Sequence, residues 1–193
     1  MYSFLSDFVI PLDQKFFFVI NQWHHPWVDT LVYYVTHQFF WIPLYISLVY
    51  LIFINFRTKA WQTLLIIICL MIICDQFSSS LVKPLIQRIR PCLYPDFAAS
   101  VHVVGQYHGV YGFISSHATN TFGLATFLWL LLRKQYPSIK LLFIWAFGIS
   151  YARIYGGVHY PMDIIMGALS GILWANIMFK CYMHSPTAVS ICK

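Results

Sequence analysis

Five stretches of this chain, residues 39–56, 61–79, 119–132, 140–155 and 162–179, run almost without charge. A helix that crosses a bilayer needs about 20 mostly apolar residues, because its backbone polar groups find no water there. The five stretches meet or approach that length, the third and fourth by extending into their flanks. Only 9% of the 193 residues are charged and 60% are hydrophobic, whereas a soluble domain carries about 25% charged residues. The fold class that follows is all-α, a polytopic membrane helical bundle of five to six spans. The candidate sixth span, residues 4–23, is interrupted by Pro11, Asp13 and Lys15, which favours an interfacial or partly inserted helix. Residues 28–38 suit a second short helix near the surface. With no internal repeat, low-complexity tract or linker, the chain is expected to be one domain, 1–193. It comprises an interfacial N-terminal segment, 1–38, and a helical core, 39–180.

Charge then orients the bundle. Arg57 and Lys59, then Arg133, Lys134 and Lys140, then Lys180 fall in connections on one side, which the positive-inside rule makes cytoplasmic. The first 38 residues hold Asp7, Asp13 and Asp29 against Lys15 alone, which fits the opposite side. The connections 80–117 and 156–161 also face outward. Lys83, Arg88 and Arg90 break the charge rule there, so they are expected to have a task. The net charge of +6 is read as topology and phosphate handling rather than nucleic-acid binding, since no basic stripe interleaved with aromatics occurs. Trp23, Trp27, Trp41, Trp61, Tyr155 and Tyr160 lie near span ends and read as interface anchors. Five cysteines without a CxxC spacing indicate neither a disulfide framework nor a zinc site. The N-terminus does not read as a removable signal peptide.

Three polar islands interrupt the apolar chain. Lys83 and Arg90 are seven residues apart in KPLIQRIRP. If that segment is helical, both lie on one face, about 10 Å apart. They can cradle a phosphate or form a basic surface that touches anionic headgroups. In RIYGGVHYPMD, Arg153 ends a span, His159 sits in a turn and Asp163 falls in the next helix's first turn. A carboxylate there can orient the imidazole as a nucleophile, or simply staple the loop to the helix. Ser115, Ser116 and His117 precede the third span. They can bind an anion and donate a proton, or cap the helix. Asp75 near a span end is costly unless partnered; pairing with Arg88 or Lys83, or a loop cap, is expected. Arg88 is a possible contact for a second phosphate or a headgroup. His102, Tyr107, His108 and Tyr111 belong to a loop able to cover the site.

In this order the islands resemble the type 2 phosphatidic acid phosphatase superfamily, whose pattern is K-x6-RP, then PSGH, then SR-x5-H-x3-D. Lys83, Arg90 and Pro91 match the first part, Ser115 and His117 the second, and Arg153, His159 and Asp163 the third. Ile114, Ser116 and Ala152 stand where the family has proline, glycine and serine. The resemblance implies that Lys83, Arg90 and Arg153, with Ser115 and Ser116, hold the phosphate. His159, oriented by Asp163, attacks phosphorus; His117 protonates the leaving group; water hydrolyses the phosphohistidine. It implies no cofactor and no metal, in keeping with the absence of HExxH. The implied protein is a lipid phosphatase of a bacterial inner membrane, acting on a membrane lipid phosphate at the periplasmic or exterior face. Undecaprenyl diphosphate is the first expectation, lipid A the alternative, then phosphatidylglycerol phosphate or phosphatidate. A lipid phosphotransferase shares the same chemistry. An anion transporter would place charges near mid-membrane, and here they gather at one face.

Overall fold

Every one of the apolar stretches becomes helix. The computed structural model describes residues 9–184; Asp7, Cys192 and the start of the 4–23 segment lie outside them. The helices are α1 (Ile10–Asn21), α2 (Pro26–Thr36), α3 (Ile42–Phe56), α4 (Ala60–Gln76), α5 (Lys83–Ile86), α6 (Ser116–Leu132), α7 (Leu141–Tyr155) and α8 (Pro161–His184). No strand forms among the described residues; Ile89 and Tyr111 make an isolated bridge. Pro11, Pro26 and Pro43 stand in first turns, and Pro161 opens α8. The fixed φ of proline suits that place, and its missing N–H costs nothing there.

Gln38–Ile86 is a helical stretch of 49 residues with mean hydropathy 2.1 over its most apolar window, and Pro161–His184 is a second, of 24 residues. At 1.5 Å per residue, 49 residues would extend about 74 Å, more than twice a bilayer core. The stretch turns at Arg57–Lys59, where Arg57 has φ 44°, and α3 and α4 pack on each other. Leu48 and Ile52 of α3, Ala60 of α4, Leu124 and Leu128 of α6 and Leu142 of α7 form one buried cluster. Large apolar side chains also cover the outside, among them Ile46, Tyr50, Leu65, Ile72, Phe147 and Leu173. Helices apolar on both inner and outer faces are suited to lipid, not water.

Small residues set the closest crossing. A Cβ on Gly167 of α8 would lie 2.7 Å from the Ser115 carbonyl, and one on Gly171 would run into the Thr119 carbonyl. A Cβ on Gly123 of α6 would lie 3.1 Å from Cys74 Sγ and 3.4 Å from the Gly171 carbonyl. Lipid removes the hydrophobic drive for helix association, so close backbone approach and dispersion carry it. This crossing fixes the start of α6 against the start of α8: Ser115 N donates to the Asp163 carbonyl at 3.0 Å.

The N-terminal segment forms α1 across Pro11, Asp13 and Lys15. Asp13 is buried and ion-paired with Arg88. Phe17, one turn on, is fully buried with its ring edge-on to Tyr160, centroids 5.5 Å apart. Asn21 ends the helix by donating to the His102 and Tyr155 carbonyls at 2.7 and 2.8 Å and accepting from His102 N at 2.9 Å. Helix α1 is thus tied to α7, α8 and the long loop.

Candidate active site

The first island does not form the expected helical face. Helix α5 ends at Ile86 because Gln87 adopts the left-handed conformation, φ 53° and ψ 30°. Arg90 lies in extended backbone, held by its N–H to the Val110 carbonyl at 3.1 Å. Lys83 and Arg90 therefore reach the site from a helix and from a strand-like segment. Lys83 Nζ donates to Ser116 Oγ at 2.8 Å. Arg90 Nε donates to the Gly109 carbonyl, Nη1 to the Val158 carbonyl and Nη2 to the His108 carbonyl, each at 3.0 Å. Arg153 Nη2 donates to the Gln106 carbonyl at 3.2 Å, while its buried Nε has no partner among the described residues. The loop anticipated as a cover therefore also grips both arginines, through backbone oxygens that no side-chain motif reveals.

His159 is buried between an acceptor and a donor. Its Nδ1 lies 3.3 Å from Asp163 Oδ2, and its Nε2 lies 3.1 Å from Arg90 Nη1. A carboxylate only accepts and a guanidinium only donates, so the proton belongs on Nδ1 and the lone pair on Nε2. Asp163 Oδ2 also accepts from Tyr160 N at 3.0 Å, and Oδ1 from Arg88 Nη1 at 2.9 Å. Burial, then the charges of Arg90, Arg153 and Lys83, hold His159 well below the usual histidine range. Gly112 leaves little room beside this pair: a Cβ there would lie 3.1 Å from Asp163 Oδ2 and 3.4 Å from Arg90 Cγ, so one of them would have to give by a few tenths of an ångström.

The serines divide. Ser115 is buried and accepts from Ala118 N as the α6 cap. Ser116 Oγ accepts from Lys83 Nζ and lies 2.9 Å from Ser78 Oγ, which also lies 3.0 Å from the Asp75 carbonyl. Ser78 has one proton for these two neighbours; when the carbonyl takes it, Ser116 donates to Ser78. Ser79 Oγ donates to the Asp75 carbonyl at 2.6 Å and reaches Asp75 Oδ2 at 3.4 Å. Asp75 makes no ion pair with Arg88. Arg88 is also not placed as a phosphate or headgroup ligand: its guanidinium bridges Asp13 and Asp163, at 2.6 and 2.9 Å, and stacks on Tyr160 at 3.9 Å.

Lys83, Arg90, Arg153, Ser116, His117 and His159 all line one cavity of about 510 Å³. Among the described residues, none of its three cations is ion-paired with a carboxylate. Two buried arginines, one with an orphaned N–H, and a half-buried lysine outnumber the one carboxylate of the cavity, Asp75, and make a site that an oxyanion completes. His117 is exposed and opens onto the cavity. It also borders a second cavity of about 450 Å³ lined mainly by apolar groups, including Trp41, Ile67, Leu124 and Trp145. The two cavities share Asp75, Ser116 and His117. No group of three or more His, Cys or Asp suited to a metal ion occurs among the described residues.

An imidazole backed by a carboxylate and three cations around one cavity, set in an apolar helical bundle, define a membrane phosphatase class. Residues 63–186 match the PAP2 superfamily, and the chain belongs to that family. It is a phosphoric ester hydrolase. It is 38% identical over 191 residues to a lipid A 4'-phosphatase of Bacteroides thetaiotaomicron, covering 97% of this chain and 82% of the relative. It is 33% identical over 183 residues to a lipid A 4'-phosphatase of Porphyromonas gingivalis, covering 93% and 76%. Among solved structures it is similar to Aquifex aeolicus LpxE, with a TM-score of 0.63 and 28% identity over 88% of this chain and 95% of that one.

Proposed function

We propose that this protein removes a phosphate from lipid A at the outer face of a bacterial inner membrane, within a bundle of five or six spans. The observation that carries the substrate is the near full-length likeness to two proteins named lipid A 4'-phosphatase. The order expected from sequence, undecaprenyl diphosphate before lipid A, is thereby reversed. The apolar cavity that meets the cation-lined one at His117 supports a substrate with a greasy part beside its phosphate.

On this reading the phosphate enters among Lys83, Arg90 and Arg153, beside Ser116. The N–H that Arg90 gives to His159 Nε2 passes to a phosphoryl oxygen, which frees the lone pair. Desolvation by the surrounding protein and then the Arg153 charge hold His117 below the usual histidine range, so it takes up the proton that arrives with a phosphate monoanion. Nε2 attacks phosphorus in line as the bond to the lipid oxygen breaks, and His117 delivers that proton to the oxygen. Asp163 stabilises the cationic ring that results. Water, deprotonated by His117, then displaces Nε2 and releases phosphate. The three cations balance the charge on the phosphoryl oxygens throughout.

The test is phosphate release in detergent from lipid A, undecaprenyl diphosphate and phosphatidylglycerol phosphate in parallel, with and without chelator, beside His159→Ala. Fastest release from lipid A, lost in His159→Ala, is expected. A histidine-dependent preference for undecaprenyl diphosphate overturns the substrate. Transfer of labelled phosphate to an added lipid instead of water overturns the hydrolase.

A further inference from the structure

We propose that Asp13, on the N-terminal helix α1, is a positioning residue for phosphoryl transfer, acting through Arg88 and Asp163 on His159. The inference rests on His159 being the nucleophile. Arg88 Nη2 meets Asp13 Oδ2 at 2.6 Å and Nη1 meets Asp163 Oδ1 at 2.9 Å. The side chains of the two carboxylates are 2% and 0% exposed, so one guanidinium serves two acids shielded from water. The remaining oxygen of Asp163 faces His159 Nδ1 at 3.3 Å. The remaining oxygen of Asp13 accepts from Met162 N at 2.9 Å, one residue before Asp163. Helix α1 also supplies Phe17, whose ring backs Tyr160, and Tyr160 backs the Arg88 guanidinium at 3.9 Å.

The charge count gives this arrangement its meaning. With His159 neutral, two carboxylates and one guanidinium leave the cluster at −1. When Nε2 bonds to phosphorus while Nδ1 keeps its proton, the ring becomes cationic and the cluster reaches zero. Without Asp13, the count would run from zero to +1, because Arg88 would already neutralise Asp163. Asp13 therefore keeps Asp163 electrostatically available to the charge that develops during attack, which is where differential stabilisation raises kcat. Capping Met162 N–H needs only a neutral oxygen; the cluster's charge needs the carboxylate.

Asp13→Asn retains an oxygen for Met162 N–H and removes the charge. Its turnover is measured on the fastest of the three lipids above, beside Asp13→Glu, Asp13→Asn with Arg88→Gln, and His159→Ala. Outer partners of metal-bound histidines are worth about 10- to 100-fold in activity, and a fall of the same order is expected in the kcat of Asp13→Asn with KM held. Asp13→Glu should stay within about threefold of the parent, since it keeps the charge. The double variant returns the cluster to −1 and should exceed Asp13→Asn alone. Parent-like kcat in Asp13→Asn overturns the proposal, as does a double variant no better than the single. So does a loss that tracks falling thermal stability alike in Asn and Glu, which would make Asp13 a structural tie. An active His159→Ala removes the underlying nucleophile reading; an inactive one beside a parent-like Asp13→Asn removes this inference alone.

Discussion

A buried imidazole among three cations must stay neutral to have a lone pair to offer. Burial and the charges of Arg90, Arg153 and Lys83 all push His159 in that direction, below the ordinary value of 6.5. The sign follows: protonation is lost as pH rises through a depressed value, so the free base persists below pH 6.5 and disappears only at lower pH. NMR titration of labelled histidines is expected to find the His159 ring neutral at pH 6.5. Arg90→Gln removes a facing cation and should move that titration upward; a downward or absent response sinks the electrostatic account. On the proposed mechanism His117→Ala leaves the nucleophile intact and removes the proton donor, so a kcat loss of about 10²–10⁴ is expected, with the melting temperature retained. Gly112 matters by what it lacks. In Gly112→Ala the new methyl would press on Asp163 Oδ2 and Arg90 Cγ, and a kcat loss of at least about tenfold is expected from a disturbed nucleophile. Unchanged kinetics in Gly112→Ala would show that the pair can shift without cost.

At the scale of elements, the α6–α8 crossing decides whether the residues meet at all. Gly171→Ala sets a methyl against the Thr119 carbonyl, a backbone atom that cannot turn aside. Overpacking of this kind costs about 1–3 kcal/mol, so lower thermal stability and lower activity are expected together. Gly148→Ala on α7 is the control: no atom lies within 4 Å of its added Cβ, and a helix interior favours alanine over glycine by about 1 kcal/mol. Equal melting temperatures for the two variants would remove the close-packing argument. The helices were legible in the sequence because lipid demands long apolar runs, and observed ends such as Phe56, Leu132 and Tyr155 fall where those runs end. The paired polar residues were less so. Lys83 and Arg90 stood out as charges, but the left-handed Gln87 between them was not marked by glycine or asparagine. Asp13 and its partner Arg88 are 75 residues apart. The rule that an ionisable residue in an apolar helix needs a partner marked Asp75, and applied equally to Asp13. Backbone oxygens at Gln106, His108 and Gly109 leave no trace in a side-chain pattern.

For the whole molecule, the proposed topology places residue 103 outside and residue 138 in the cytoplasm. Val103→Cys and Ser138→Cys, each at an exposed position and in a Cys181→Ser background, test it in intact spheroplasts with an impermeant maleimide. Labelling at 103 alone is expected, with 138 reacting only after permeabilisation; the reverse pattern would turn the bundle over. The contact between the two cavities has a further consequence. His117 stands on the boundary between a cation-lined chamber and an apolar one. On the proposed mechanism, the bond to be broken lies at that boundary, with its phosphorus on the cation-lined side and the lipid reaching toward the more apolar one. The distance from a phosphorus to the first stretch of hydrocarbon then becomes a property by which such a site tells one lipid from another.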